Sequence, residues 1–212
     1  ARHVLLFDAL GYPRPKFAHL PMVLDDAGKK FSKRLHGANV LDWRDDGYLP
    51  EALINYVALL GWTPAEENRE LFTIAELTEA FVPERWTKSA ARFDRKKLDW
   101  LNGQHIRLLD PAELQTRLMA VLQRSGIDTT QRDAAWFATL TDICREKLST
   151  LNQIVELSDF FFHDITEYEE KPVQKIWRTE DAAAIMDKLT ACMDGVGTWD
   201  RDVLKQAFHD LG

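Results

Sequence analysis

Cysteine is almost absent from this sequence. Cys144 and Cys192 stand 48 positions apart, with no Cys-x-x-Cys pair. That spacing argues against a structural zinc or a disulfide framework and fits a reducing cytoplasm, where both would be ordinary buried thiols. No apolar run approaches the roughly 18 residues that a membrane-spanning helix needs, and no signal-peptide pattern opens the chain, so no membrane partner is expected. Internal repeats are missing, and no Gly/Ser-rich or Pro-rich linker divides the chain. Strand-like alternation is scarce as well. Only residues 18–24 read as extended, followed directly by the turn Asp25-Asp26-Ala27-Gly28.

The remainder has the balance of a folded protein. Of 212 residues, 45% are hydrophobic and 29% charged, which excludes a disordered or collagen-like chain and allows one or two domains with a real core. The net charge of −7 speaks against nucleic-acid binding through bulk charge, but the charge is unevenly spread. Residues 1–107 carry 16 Lys/Arg against 15 Asp/Glu, whereas residues 108–212 carry 11 against 19. Within residues 85–107 lie Arg85, Lys88, Arg92, Arg95, Lys96, Lys97 and Arg107, against two acids. Such a stripe can form a footprint for a phosphate backbone, and a solvated helix face has the same composition.

Helical signals dominate. Residues 50–60 open with Pro50, close at Gly61 and repeat Leu53, Ile54, Val57 and Leu60 at helical spacing. Thr73 and Glu76 form a capping-box pattern, with Phe72 and Leu77 placed as a hydrophobic staple. Asp94 can cap a helix through Leu101, with Gly103 just beyond it, and Asp110-Pro111 starts another to about Arg124. Further helices fit 131–147, 151–162, 180–193 with Thr179 as the cap, and 199–210. Trp86 and Trp100 read as core aromatics, and His163 as a residue at a helix end beside the core.

One segment concentrates chemistry. Gly28-Lys29-Lys30-Phe31-Ser32-Lys33-Arg34 places four cations and a hydroxyl directly after a glycine turn. Such a loop can wrap polyphosphate, since lysines supply point charge and exposed amides supply donors. Lys30-Phe31-Ser32-Lys33-Arg34 resembles the KMSKS-type second signature of class I aminoacyl-tRNA synthetases, in the Lys-x-Ser-Lys-Arg form of the glutamyl enzymes. Phe17-Ala18-His19-Leu20-Pro21-Met22 is similar to the strand leading into that loop. Downstream, Gly47-Tyr48-Leu49-Pro50-Glu51-Ala52-Leu53, Asn55-Tyr56, Leu59-Leu60-Gly61-Trp62, Phe93-Asp94, Lys97-Leu98-Asp99-Trp100-Leu101-Asn102-Gly103-Gln104 and Ile106 resemble the bacterial members in order and spacing. The resemblance is tight over residues 1–107 and looser to about residue 210.

The resemblance implies a mainly α fold in three parts. Residues 1–38 would end a class I catalytic domain with its KMSKS-type loop, 39–107 would form a helical stem-contact domain, and 108–212 an incomplete all-helical anticodon-binding domain of the bacterial kind. The implied activity is activation of glutamate by ATP, with magnesium, and transfer to tRNA-Glu by a cytoplasmic monomer. Lys30, Ser32 and Lys33 would belong to the loop that closes on ATP, with Lys33 touching its phosphates. The backbone of the tRNA would meet Arg85, Lys88, Arg92, Arg95, Lys96 and Lys97. Arg145, in Arg145-Glu146-Lys147-Leu148, is similar to an anticodon-reading arginine of the family.

Three departures qualify the match. His3, His19, His36, His105, His163 and His209 provide no His-x-Gly-His, the family's other signature; Leu35 intervenes before His36-Gly37; and the sequence given stops at Gly212. The implied reading is a piece of a larger synthetase, inactive alone. A free-standing helical tRNA-binding module derived from such an enzyme is the alternative.

Overall fold

The computed structural model describes residues 2–25, 27–31, 39–166, 168–179 and 181–210, and by internal contacts the chain divides into Ala1–Phe162 and His163–Gly212. The first unit contains helices α1 (Arg2–Ala9), α2 (Val40–Asp45), α3 (Pro50–Gly61), α4 (Ile74–Ala80), α5 (Arg95–Leu108), α6 (Pro111–Arg124), α7 (Ala134–Arg145) and α8 (Gln153–Ser158). Among the described residues, β-pairing is limited to isolated bridges. The mainly α expectation therefore holds.

Local chemistry explains most of the starts. The capping box at Thr73 and Glu76 is formed, and Phe72 and Leu77 are buried together with Trp62. Asp94, Asp110 and Asp133 each accept backbone N–H groups at the starts of α5, α6 and α7, because the first turn of a helix leaves donors without partners. Pro111 sits at the first position of α6, where its missing N–H costs nothing.

Three apolar clusters organise the unit. The largest joins Leu114, Leu118, Val121 and Leu122 of α6 to Phe137, Leu140 and Cys144 of α7 and to Leu148 and Ile154, with Leu49, Ala52 and Ile106 completing it. Trp43, Tyr48, Tyr56 and Leu98 form a second, against which Phe31 and Phe93 pack. Trp86 is half-buried against the third, which holds Trp62, Phe72 and Leu77.

Helix α5 runs past Gly103 to Leu108, so the expected stop near Leu101 is corrected. Gly103 answers a packing demand instead: a Cβ there would lie 3.1 Å from the Leu148 carbonyl oxygen. One position earlier, the fully buried Asn102 ties two loops to the helix. Its Oδ1 accepts the Leu49 amide at 2.8 Å, and its Nδ2 donates to the Ser149 carbonyl at 2.5 Å. Gly47 is required for two reasons. Its φ is +88°, and a Cβ would sit 2.7 Å from the Asn152 amide nitrogen. Trp100 is 46% exposed and does not belong to the core, because α5 turns Leu98, Leu101 and Asn102 inward.

The second unit comprises α9 (Glu170–Pro172), a π-helical turn over Val173–Trp177, α10 (Ala182–Gly195) and α11 (Arg201–His209). None of its described residues is fully buried, His163 is exposed, and Cys192 is only half-buried, its Sγ 3.6 Å from the Ala207 carbonyl oxygen. The N-cap of α10 is Asp181 rather than Thr179; the Thr179 carbonyl instead receives the Ala182 amide in the preceding turn. Asp200 caps α11 through the amides of Asp202 and Val203.

Buried polarity in the first unit centres on His105. Its Nε2 lies 3.0 Å from Asn55 Oδ1, which also accepts the Phe72 amide. A carboxamide oxygen only accepts, so Nε2 carries the proton. Burial lowers the His105 pKa, and the nearby Glu51 charge, itself paired with Arg117 at 3.4 Å, opposes that shift. The unfolded chain thus takes up the proton near 6.5 and the native state only at lower pH. The contribution of His105 to stability should be constant above that value and fall as pH drops through it. Unfolding free energies measured at about pH 7.5 and about pH 5.5 should diverge more for the native chain than for His105→Gln. Equal pH dependence of the two would contradict this.

Candidate nucleic-acid interface

The lysine-rich loop starts from a tight hairpin. Gly28, at φ +75°, permits the turn; the Asp25 amide donates to the Lys29 carbonyl at 2.7 Å and the Phe31 amide to the Val23 carbonyl at 2.9 Å. The Asp25 carboxylate accepts the Lys29 amide at 2.8 Å. On its other side, Leu24 pairs in parallel with Arg92: its amide donates to the Ala91 carbonyl and its carbonyl accepts the Phe93 amide, both at 2.8 Å. Of the residues read as extended, Leu24 is the one that pairs across.

Aromatic packing fixes this junction to the helical body. Phe31 stacks on Phe93 with ring centres 4.6 Å apart, and Trp43 and Tyr56 each approach Phe93 at 5.4 Å. Tyr56 reinforces it through its hydroxyl, which accepts the Asp94 amide at 2.7 Å and donates to the Asp94 carbonyl at 3.0 Å. Lys29 and Lys30 are exposed. Ser32 and Lys33 lie outside the described residues.

The basic stripe separates into two kinds of cation. Arg85 donates to the Thr63 and Pro64 carbonyls, each at 2.8 Å, and so holds its own loop against the end of α3. Arg95 lies over the rings of Trp43 and Tyr48, at 4.7 and 5.0 Å, and within 3.5 Å of both Asp46 and Asp99. Lys97 pairs with Glu70 at 2.5 Å. These three cations are engaged within the fold. Lys88, Arg92 and Lys96 are exposed and, among the described residues, have no ion pair or side-chain hydrogen bond.

Arg145 also has a structural duty. Its Nη2 donates to the carbonyls of Arg107, at 2.8 Å, and Leu109, and thereby satisfies acceptors left open at the end of α5. A polar cleft of about 410 Å³ opens between Asp46, Tyr48, Arg95 and Asp99 on one side and Ser149, Thr150, Asn152 and Gln153 on the other. The Tyr48 hydroxyl donates to Asp99 there, and burial pushes its pKa upward, with the Asp99 charge adding to the shift. Sequence reasoning missed this cleft and the Tyr56 clamp. Both depend on pairs more than 30 residues apart, such as Tyr48 with Asp99 and Tyr56 with Asp94.

Among the described residues, no cluster of three or more His, Cys, Asp or Glu side chains could hold a metal ion. No described helix is long and apolar enough to cross a membrane.

Comparison with known proteins agrees with this geometry. Residues 1–100 match the model for the catalytic domain of class I tRNA synthetases (E and Q), and residues 106–212 match that for an anticodon binding domain. A glutamate–tRNA ligase 1 from Caldanaerobacter subterraneus is 34% identical over 210 residues, which cover 99% of this chain and 44% of that protein. One from Synechocystis is 40% identical over 189 residues, covering 88% of this chain and 39% of that protein. A crystal structure of a glutamate tRNA ligase from Elizabethkingia meningosepticum, in complex with its amino acid, superposes with a TM-score of 0.81 at 29% identity, over 99% of this chain and 44% of that one. The chain thus spans less than half the length of these relatives. Two matched domain models, a helical fold shared with solved members and the preserved motif order establish that it belongs to the glutamyl-tRNA synthetase family, as the C-terminal part of a bacterial member.

Proposed function

We propose that this chain serves as the tRNA-binding part of a cytoplasmic, monomeric glutamate–tRNA ligase, which activates glutamate with ATP and transfers it to tRNA-Glu. One observation carries the reading. Leu24 joins the base of the lysine loop to Arg92, one of the three exposed cations that have no ion pair among the described residues, so nucleotide-type and RNA-type features meet on one small lattice. In this reading residues 1–38 end the catalytic domain, 39–107 contact the tRNA stem and 108–212 begin the anticodon-binding region.

Lys30, Ser32 and Lys33 would act on ATP. An oxygen of the glutamate carboxylate attacks the α-phosphorus in line, a new P–O bond forms, and the bond to the pyrophosphate oxygen breaks. Negative charge grows on the leaving pyrophosphate, and a loop lysine beside it lowers the barrier without taking part covalently. The glutamyl group then passes to a hydroxyl at the tRNA 3′ end, with AMP leaving. Lys88, Arg92 and Lys96 would carry most of the RNA backbone contact, while Arg85, Arg95 and Lys97 hold the surface that presents them. Arg145 would read the anticodon through the part of its guanidinium not engaged with α5.

In the full-length enzyme, Lys33→Ala should slow single-turnover adenylate formation about 30- to 1,000-fold, equivalent to about 2–4 kcal/mol, and leave tRNA affinity nearly unchanged. A rate within twofold of the parent would remove Lys33 from the phosphate site.

Salt dependence tests the RNA assignment on this chain directly. Each neutralised phosphate releases counterion, so affinity for tRNA should fall steeply with salt. Changing Lys88 and Lys96 together to Ala should flatten the log–log slope by about 1.4–1.8 units, at about 0.7–0.9 per contact, for matched and unmatched tRNAs alike. Lys97→Ala should alter it far less, since Glu70 already neutralises that ammonium. An unchanged slope in the double variant would exclude these lysines from the interface.

A further inference from the structure

The two bridges at Leu24 set the direction of the side chains around it. Leu24 faces Lys30 in an antiparallel bridge and Arg92 in a parallel one. Directly paired residues project to the same face of a β-lattice, and successive residues alternate between faces. Lys30, Leu24 and Arg92 therefore line one face, and their neighbours Phe31 and Phe93 the other. The packing bears this out. Phe31 and Phe93 stack on each other against Trp43 and Tyr56, whereas Lys30 and Arg92 are exposed. Neighbouring strands lie about 4.8 Å apart, so two spacings separate the Lys30 and Arg92 backbones by about 10 Å. That gap is within the combined reach of a lysine and an arginine side chain on the same face.

We propose that Lys30 and Arg92 form a single phosphate seat, two cations on either side of Leu24 that hold one phosphate group between them. Three features favour this arrangement over two independent surface charges. Neither side chain has an ion pair or side-chain hydrogen bond among the described residues. The nearby described acids are turned to other tasks, Asp25 accepting the Lys29 amide and Asp94 the Lys97 amide. The backbone beneath is held by four hydrogen bonds of 2.7–2.9 Å and by the Phe31–Phe93 stack, so the spacing of the cations is set before a ligand arrives. Arg92 supplies a planar fork and Lys30 a point charge, a combination suited to a phosphate oxygen pair.

The seat rests on the proposed synthetase reading and deepens it. It makes Arg92 a partner of the lysine loop as well as a member of the basic stripe. The phosphate can come from the RNA backbone or from a nucleotide's phosphate chain, and two probes separate these sources.

Lys30→Met, Arg92→Met and the double variant of this chain would be titrated with tRNA and, separately, with inorganic tripolyphosphate. Both sites are exposed, and unchanged thermal unfolding verifies the fold. Each single change should weaken one probe about tenfold, as for a charge-assisted contact. The double variant should lose no more than about thirtyfold, rather than the hundredfold of independent contacts. Coupling with tRNA alone assigns the seat to the RNA backbone; coupling with tripolyphosphate assigns it to the nucleotide. Multiplicative losses with both probes, or an Arg92→Met variant that binds both normally, would overturn the shared seat. Should tRNA binding persist with the Lys88 and Lys96 salt signature while Lys30 and Arg92 stay silent, the seat fails and the synthetase reading stands. Binding of neither probe by the native chain would overturn both.

Discussion

Helix α5 is pinned by side chains along its whole length, and much of the first unit hangs from it. At its start, Asp94 caps it and the Tyr56 hydroxyl holds the Asp94 peptide from both sides. In its middle, Asn102 satisfies the Leu49 amide and the Ser149 carbonyl at once. Arg145 occupies carbonyls at its end. A buried amide such as Asn102 is costly unless every group it meets is paired, so this junction tolerates one arrangement of the three segments.

That fixed helix gives the surface its chemistry. The residues just before α5 pair with Leu24, and Leu24 in turn carries the entrance of the lysine loop. Alternation then sorts the residues, aromatic rings inward and cations outward. The same economy divides the basic stripe. Arg85, Arg95 and Lys97 meet carbonyls, rings or carboxylates of the fold, leaving Lys88, Arg92 and Lys96 to face solvent. An acidic protein can thereby present a local positive face, because what a phosphate meets is set over a distance of about 10 Å rather than by net charge.

Local signals were the legible ones. The capping box at Thr73, the Asp-Pro start of α6 and the Pro50 and Gly61 bounds of α3 each lie within a few residues of sequence, and the structure follows them, although α3 buries Ala52, Asn55 and Tyr56 and leaves Ile54 and Val57 of its apolar repeat exposed. The lysine loop and the family motifs were legible for the same reason. Gly103 misled because a glycine after an apolar run signals a stop, whereas here it admits the Leu148 backbone. Trp100 misled because its position on α5, and not its size, decides exposure. The helix expected to start after Thr179 starts after Asp181, two residues on and without a side-chain cap, in a unit with no buried described residue to fix the register. Which cations stand unpaired could not be read at all, since Glu70, Asp46 and Thr63 come from distant parts of the chain.

Amide hydrogen exchange tests the central role of α5 most directly. The Leu49 amide bonds to a side chain of α5, and the Leu151 amide bonds to the Gly47 carbonyl in the neighbouring loop. Both should exchange together with the core of α5, in one cooperative opening, and both should become fast in Asn102→Ala while α6 and α7 stay protected. If Leu49 and Leu151 already exchanged orders of magnitude faster than α5 in the native chain, the helix would not be the constraint that holds this unit together.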